Sequence, residues 1–159
     1  MKKINLEQKF SLFNEHWTPK IIAELNDYQI KIVKVEGDFV WHDHSDTDEF
    51  FFVIEGTLFI EFESETMELN AGELYVVPKG VQHRPFAHGE CKVMLIEPRG
   101  VVNTGEASSD LTASNDVWIW RLTLLLFSID TQVQDQILFL FVRERFEEQV
   151  RGILWFSSL

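Results

Sequence analysis

The sequence contains only one cysteine, Cys91, among its 159 residues. A disulfide framework within the chain is therefore excluded, and we expect a protein of the reducing cytoplasm. A chain of this length can bury a core without covalent cross-links. Because Cys91 lies before an apolar run and has no histidine at a suggestive spacing, we interpret it as a core thiol.

Positive charge and long hydrophobic runs are also scarce. The chain has 14 lysines and arginines against 26 acidic residues, for a formal net charge of −12. Such a chain repels phosphate backbones and anionic lipids, so we expect neither nucleic acid nor a membrane as a partner. The apolar stretch LTLLLFSI, residues 122–129, is too short to span a bilayer. The N-terminal MKKINLEQKF lacks the apolar core of a signal peptide.

Short β-rich runs alternate with turn residues between residues 21 and 96. The runs include YQIKIVKV, EFFFVI, TLFIEF and ELYVVP, and turns are indicated at Gly37, Gly56 and Gly80. Many short strands at this close spacing predict an all-β sandwich or barrel, which we place at residues 19–100.

The regions on either side of the barrel have different patterns. Apolar residues near helical spacing predict a short N-terminal helix within residues 1–18. Residues 101–117 are polar and lack a periodic pattern, which predicts a linker leading away from the barrel. In residues 118–159 apolar side chains recur mostly three or four apart, which predicts a helical C-terminal extension.

The stretch WHDHSDTDEFFFVIEG, residues 41–56, places metal-binding side chains directly before a buried strand. Side chains alternate between the two faces of a strand, so His42 and His44 point the same way. Glu49 begins the next strand, and His83 follows a strand that ends in a Pro-Gly turn. Three imidazoles and a carboxylate suit one divalent Fe, Mn, Ni, Co, Cu or Zn ion without choosing among them. Asp48 is an alternative to Glu49, and a polar cluster that binds no metal is the alternative to the whole site.

The same stretches resemble the two motifs of the cupin superfamily. Residues 37–56 contain His-x-His, four residues, Glu, six residues and Gly, as in the first motif. Residues 72–87 contain Gly, five residues, Pro-x-Gly, two residues and His, as in the second motif. The resemblance implies a double-stranded β-helix, or jelly roll, of the small single-domain, sugar-phosphate isomerase-like kind. It also implies a metal in the barrel mouth with four ligands: His42, His44, Glu49 and His83.

Four protein ligands leave about two positions open on a six-coordinate metal. We therefore expect the protein to bind a small molecule in the barrel and to act on it as an isomerase or a dioxygenase. The alternative is a non-catalytic module that binds or senses a metal or small ligand, since no general base stands out beyond the ligands. Tyr75 and Arg84 are candidate substrate-binding residues. Their alternative roles are packing for Tyr75 and a salt bridge at the rim for Arg84.

The strand EFFFVI, residues 49–54, is apolar on both faces. One face fills the barrel, and the other needs a cover, since neither should meet water. The cover could be the N-terminal helix, the C-terminal extension or a second subunit. We expect a homodimer.

Overall fold

A computed structural model of the chain describes residues 3–119. One helix and seven strands follow one another in this part of the chain. They are α1 (Leu6–Phe10), β1 (Lys20–Leu25), β2 (Tyr28–Asp38), β3 (Glu49–Glu55), β4 (Thr57–Glu61), β5 (Thr66–Asn70), β6 (Leu74–Val77) and β7 (Arg84–Pro98). Apart from its first two residues, the predicted helical extension lies outside the described residues.

The strands form an antiparallel jelly roll, which confirms the predicted all-β class. One path of paired strands runs β1-β2-β7-β3-β6, while β4 pairs with β5 and with β7. The 15-residue strand β7 pairs with β2, β3 and β4, so it connects both halves of the barrel. The predicted turn at Gly56 joins β3 to β4 with a φ of 85°. A Cβ atom there would lie only 2.9 Å from the carbonyl oxygen of Glu90, so this turn needs glycine.

The barrel interior and the outer face of β1 and β2 each carry an apolar cluster. Inside, side chains such as Val53, Leu58 and Val93 are almost completely buried. Outside, Phe10 of the short helix α1 packs with Phe13, Ile22, Ile32 and Ile119. The predicted N-terminal helix is thus present but only five residues long.

Residues 101–119, which we call the strap, fold back onto the barrel rather than leading away from it. The amide of Ile21 donates to the carbonyl of Val117 at 2.8 Å, and the amide of Ile119 donates to the carbonyl of Ile21 at 3.0 Å. The predicted linker is wrong in this respect. Hydrogen bonds, rather than a periodic set of apolar side chains, hold the strap on the barrel. The sequence therefore shows no pattern that would predict this position.

Within residues 3–119, no helix has both the length and the apolar character that crossing a membrane requires.

Candidate metal centre

The four predicted ligands come together at one end of the barrel, and we call them the His/Glu cluster. His42 lies in the connection between β2 and β3, and His83 directly precedes β7. Their backbones exchange two hydrogen bonds of 3.0 Å, so an antiparallel bridge fixes the two residues side by side. His44 follows His42 on the same side of the chain, and Glu49 opens β3. The backbone thus directs all four side chains toward one point.

The three imidazoles converge on a single carboxylate oxygen. The distances from Nε2 to Oε2 of Glu49 are 2.9 Å for His83, 3.2 Å for His44 and 3.5 Å for His42. All four residues are buried, with exposed fractions between 1% and 6%. Ligand atoms of His42, His44 and Glu49 lie within 4.8 Å of one another, close enough for one cation to contact all three.

Backbone carbonyls orient two of the imidazoles. Nδ1 of His42 lies 3.0 Å from the carbonyl oxygen of Val40, and Nδ1 of His83 lies 2.9 Å from that of Val81. A carbonyl oxygen only accepts, so each Nδ1 carries the proton and donates it. In the neutral ring, Nε2 is then a free lone pair that faces the cluster, which is the arrangement of metal-binding histidines.

Two of these inward nitrogens lack a hydrogen-bond partner. Nε2 of His42 and Nε2 of His44 are buried, and neither makes a hydrogen bond, although both lie close to Glu49. Buried polar atoms are almost always satisfied, so unpaired nitrogens around one carboxylate need explaining. A divalent cation between them satisfies the nitrogens and the carboxylate together, so the residues present fit a metal ion.

The electrostatics of the cluster follow from its burial and its mixed charges. Burial alone would raise the pKa of Glu49, but the three histidine nitrogens close to its carboxylate outweigh burial and hold that pKa well below its usual value. Burial alone would lower the pKa of His44, yet the carboxylate of Glu49 beside it raises that pKa overall. The surroundings of Glu49 thus favour its ionised form.

The other residues predicted for the site have different surroundings. Arg84 points away from the interior and pairs with Glu61 at 2.5 Å and with Asp38 at 3.3 Å, so the structure does not bring it to the cluster. Tyr75 does belong to the inner wall, where its ring lies 5.9 Å from that of Phe62. Asp48, the alternative ligand, is exposed and accepts a hydrogen bond from the amide of Lys79.

A small cavity adjoins the cluster inside the barrel. Its volume is about 30 Å³, room for one or two waters. His42, Glu49 and Asn103 form its polar part, and the rest of the lining includes Trp17 and Phe39. Asn103 belongs to the strap, so a segment predicted to lead away from the barrel contributes to the site.

A buried ion pair that the sequence pattern did not indicate joins Lys31 of β2 and Glu97 of β7. Nζ of Lys31 lies 2.6 Å from Oε1 of Glu97, and both side chains are almost fully buried. Burial raises the pKa of Glu97, and Lys31 only partly offsets that increase. In YQIKIVKV, polar Gln29 and Lys31 alternate with Ile30 and Ile32. This pattern predicts a strand whose Lys31 side chain faces the solvent. The predicted core thiol is confirmed: Cys91 is buried, and its pKa is raised to about 12.

Fold and site together define the class of this protein: a jelly-roll barrel that encloses a candidate metal site. Comparison with known proteins agrees with this class: residues 30–98 match the model of the cupin domain. The chain belongs to the cupin superfamily.

Three relatives illustrate how far the similarity extends. A cupin-2 domain containing protein from Shewanella frigidimarina is 64% identical, with a TM-score of 0.60 over 60% of this chain and 94% of that chain. Protein NMB1881 from Neisseria meningitidis is 38% identical, with a TM-score of 0.57 over 61% of this chain and 99% of that one. The uncharacterized protein YdbB of Bacillus subtilis (strain 168) is 42% identical over 77 residues, which cover 48% of this chain and 68% of YdbB.

Proposed function

We propose that this cupin holds one divalent transition metal ion in the His/Glu cluster and binds a small molecule beside it in the barrel. One observation carries the proposal. Three imidazole Nε2 atoms surround one carboxylate oxygen at 2.9 to 3.5 Å, and backbone carbonyls hold the Nδ1 protons of two of these rings on the far side. Without a cation, the Nε2 lone pairs of the neutral rings would face the negative charge of Glu49 in a buried space, unless one ring took up a proton.

The donor set limits the identity of the metal. Nitrogen ligands with one carboxylate suit Fe, Mn, Ni, Co, Cu or Zn, whereas Ca²⁺ and Mg²⁺ prefer oxygen alone. A bound metal of this group would supply Lewis acidity or activate water or oxygen. The cavity beside the cluster is small and has a mostly apolar lining, which limits the ligand to a small molecule.

For the reaction we propose an isomerase or a dioxygenase, with the sugar-phosphate isomerase-like cupins as the analogue for an isomerase. A cupin barrel hosts many activities, so the metal chemistry supports this proposal more than the fold does. The second candidate is a module that binds or senses a metal or small ligand without turnover. Turnover of a substrate panel by metal-loaded protein would favour an enzyme, and tight ligand binding without turnover would favour the module.

Replacing one ligand tests the metal site. We expect His44→Ala to fold, because the core is apolar. Its metal affinity should fall about 100-fold or more, since losing a residue that only orients a ligand already costs about 10- to 100-fold. Elemental analysis and titration with Co²⁺ would measure the loss. His88→Ala is the matched control, because His88 is an exposed histidine on β7. Equal metal affinity in His44→Ala and in the parent would contradict the proposal.

We further propose that the protein is cytoplasmic and forms a homodimer. The lone buried thiol supports the first part, and exposed apolar side chains on the sheet support the second.

A further inference from the structure

A second polar pair lies inside the barrel next to the His/Glu cluster. Lys31 shares its face of β2 with Val33 and Val35, which both belong to the interior core. Glu97 shares its face of β7 with Val93 and Leu95, which belong to the same core. The exposed fractions of Lys31 and Glu97 are only 4% and 3%. Both charged side chains therefore point into the barrel.

The strand register places this pair beside Glu49. Phe51 of β3 pairs with Leu95 of β7. Continued by two residues, the same antiparallel register places Glu49 opposite Glu97 on the inner face. On the other side of β7, Lys31 pairs with Leu95. Neighbouring strands are about 4.8 Å apart, so Glu97 lies between the strand of Lys31 and that of Glu49.

The pair has unused hydrogen-bonding capacity although it is buried. An ammonium group has three donors, and within residues 3–119 Glu97 is the one acceptor in reach of Lys31. Nearby, Nε2 of Gln29 donates to Oδ1 of Asp116 at 2.9 Å, while Oε1 of Gln29 is buried without a partner. A buried ion pair with unsatisfied donors is costly, so the free donors of Lys31 indicate a ligand that offers an acceptor atom.

We propose that Lys31, positioned by Glu97, binds the charged oxygen of a small monoanion, such as a carboxylate, that occupies the site beside the metal. This inference rests on the proposed metal function. The Lys31–Glu97 pair adds no net charge, whichever partner holds the proton. With a divalent ion, Glu49 offsets one of two positive charges, and one monoanion neutralises the remainder. A buried site favours a ligand that leaves no net charge.

Acetate binding to Co²⁺-loaded protein tests the inference, followed by the visible absorption of the cobalt ion. The informative variant is Lys31→Met/Glu97→Gln, which removes the ammonium group but leaves the net charge of the site unchanged. We expect its acetate affinity to fall about tenfold or more, because a charge-assisted hydrogen bond is lost. Lys34→Met is the matched control. Lys34 lies on the opposite face of β2 and pairs with Glu90 at 3.6 Å, so its variant should bind acetate as the parent does.

Cobalt content, measured separately by elemental analysis, distinguishes the two ways of failing. A parent protein that takes up no cobalt overturns the proposed function and this inference together. Equal acetate affinity in cobalt-loaded parent and double variant, or no spectral response of the parent to acetate, overturns the inference alone. If the double variant does not fold, Glu97→Gln is the second test, and its expected effect on acetate affinity is in the opposite direction. It frees the ammonium group and should bind acetate more tightly than the parent, so unchanged or weaker binding would overturn the inference.

Discussion

At the scale of single residues, the histidines of the cluster are oriented by their own chain. In both His42 and His83, Nδ1 donates to the carbonyl oxygen two residues earlier, that of Val40 or Val81. A short segment in the right backbone conformation therefore sets the tautomer as well as the direction of each ring. The tertiary structure then needs only to bring the segments that contain His42 and His83 side by side.

Because ligating imidazoles must be neutral, the metal affinity of the cluster should depend on pH. Protons compete with the metal, so affinity should fall as the pH drops through about 6.5, the ordinary pKa of histidine. The pKa of His44 is raised by Glu49 against the effect of burial, so the loss should begin above that value. Competition with a chromophoric chelator from about pH 8 to about pH 5.5 would measure it. Circular dichroism at each pH is the control for folding, and an affinity that does not change over this range would contradict the prediction.

At the scale of elements, the strap closes the end of the barrel that contains the cluster. The side chain of Asn103 donates to the carbonyls of Trp17 and Leu111, and its Oδ1 accepts from the amide of Ala113. Next to it, the fully buried Thr104 pairs with Thr112 at 2.9 Å. These contacts fix residues 103–113 locally, so the strap is an ordered part of the site wall.

One glycine lets the strap approach the cluster closely. Gly105 has a φ of 53°, and a Cβ there would collide with the carbonyl oxygen of Asp43. We expect Gly105→Ala to lower the free energy of unfolding by about 1 to 3 kcal/mol, through strain and displacement of the strap. Chemical denaturation would measure the change.

Gly89→Ala is the control for that measurement. A Cβ at Gly89 meets nothing within 4 Å, and its φ lies outside the left-handed region. The control should therefore stay close to the parent. If the two variants are equally stable, the close packing of the strap on Asp43 is not a stabilising contact.

At the scale of the whole molecule, apolar side chains on the outside of the sheet suggest an interface. Phe50 and Phe52 of β3 pair with Val76 and Leu74 of β6, the last strand of its path. We call these four side chains the outer patch. Leu74 is 55% exposed and Val76 is 42% exposed. Each apolar side chain buried there would contribute roughly 1.5 to 3 kcal/mol, so a second copy meeting the patch through a two-fold axis would be stabilised.

A charge in the outer patch should therefore dissociate the proposed homodimer. We expect the parent to be a dimer at micromolar concentration and Leu74→Glu to be a monomer, because a carboxylate would be buried unpaired in the interface. Light scattering would give both masses. Leu25→Glu is the matched control, since Leu25 is 58% exposed but belongs to β1, at the other end of the path. A monomeric parent, or a dimeric Leu74→Glu, would contradict the proposal.

Much of the fold and the composition of the cluster could be predicted from the sequence, because both depend on local patterns. Strand alternation places His42 and His44 on one side, and glycines at the turns separate runs that can only be short strands. The jelly roll and the convergence of the three histidines on Glu49 follow these expectations. That a metal occupies the cluster stays a prediction.

Only the tertiary structure decided which side of each strand meets the interior. In β2 it places Lys31 inside against Glu97, whereas Ile32 packs outside with Phe10 of α1. The alternating pattern fits either face of β2 meeting the barrel interior, because both faces of this strand are covered. The strap is a second case, since its sequence is polar and its position depends on hydrogen bonds to distant residues such as Ile21. Such partners are unrelated in sequence, and only the folded chain brings them together.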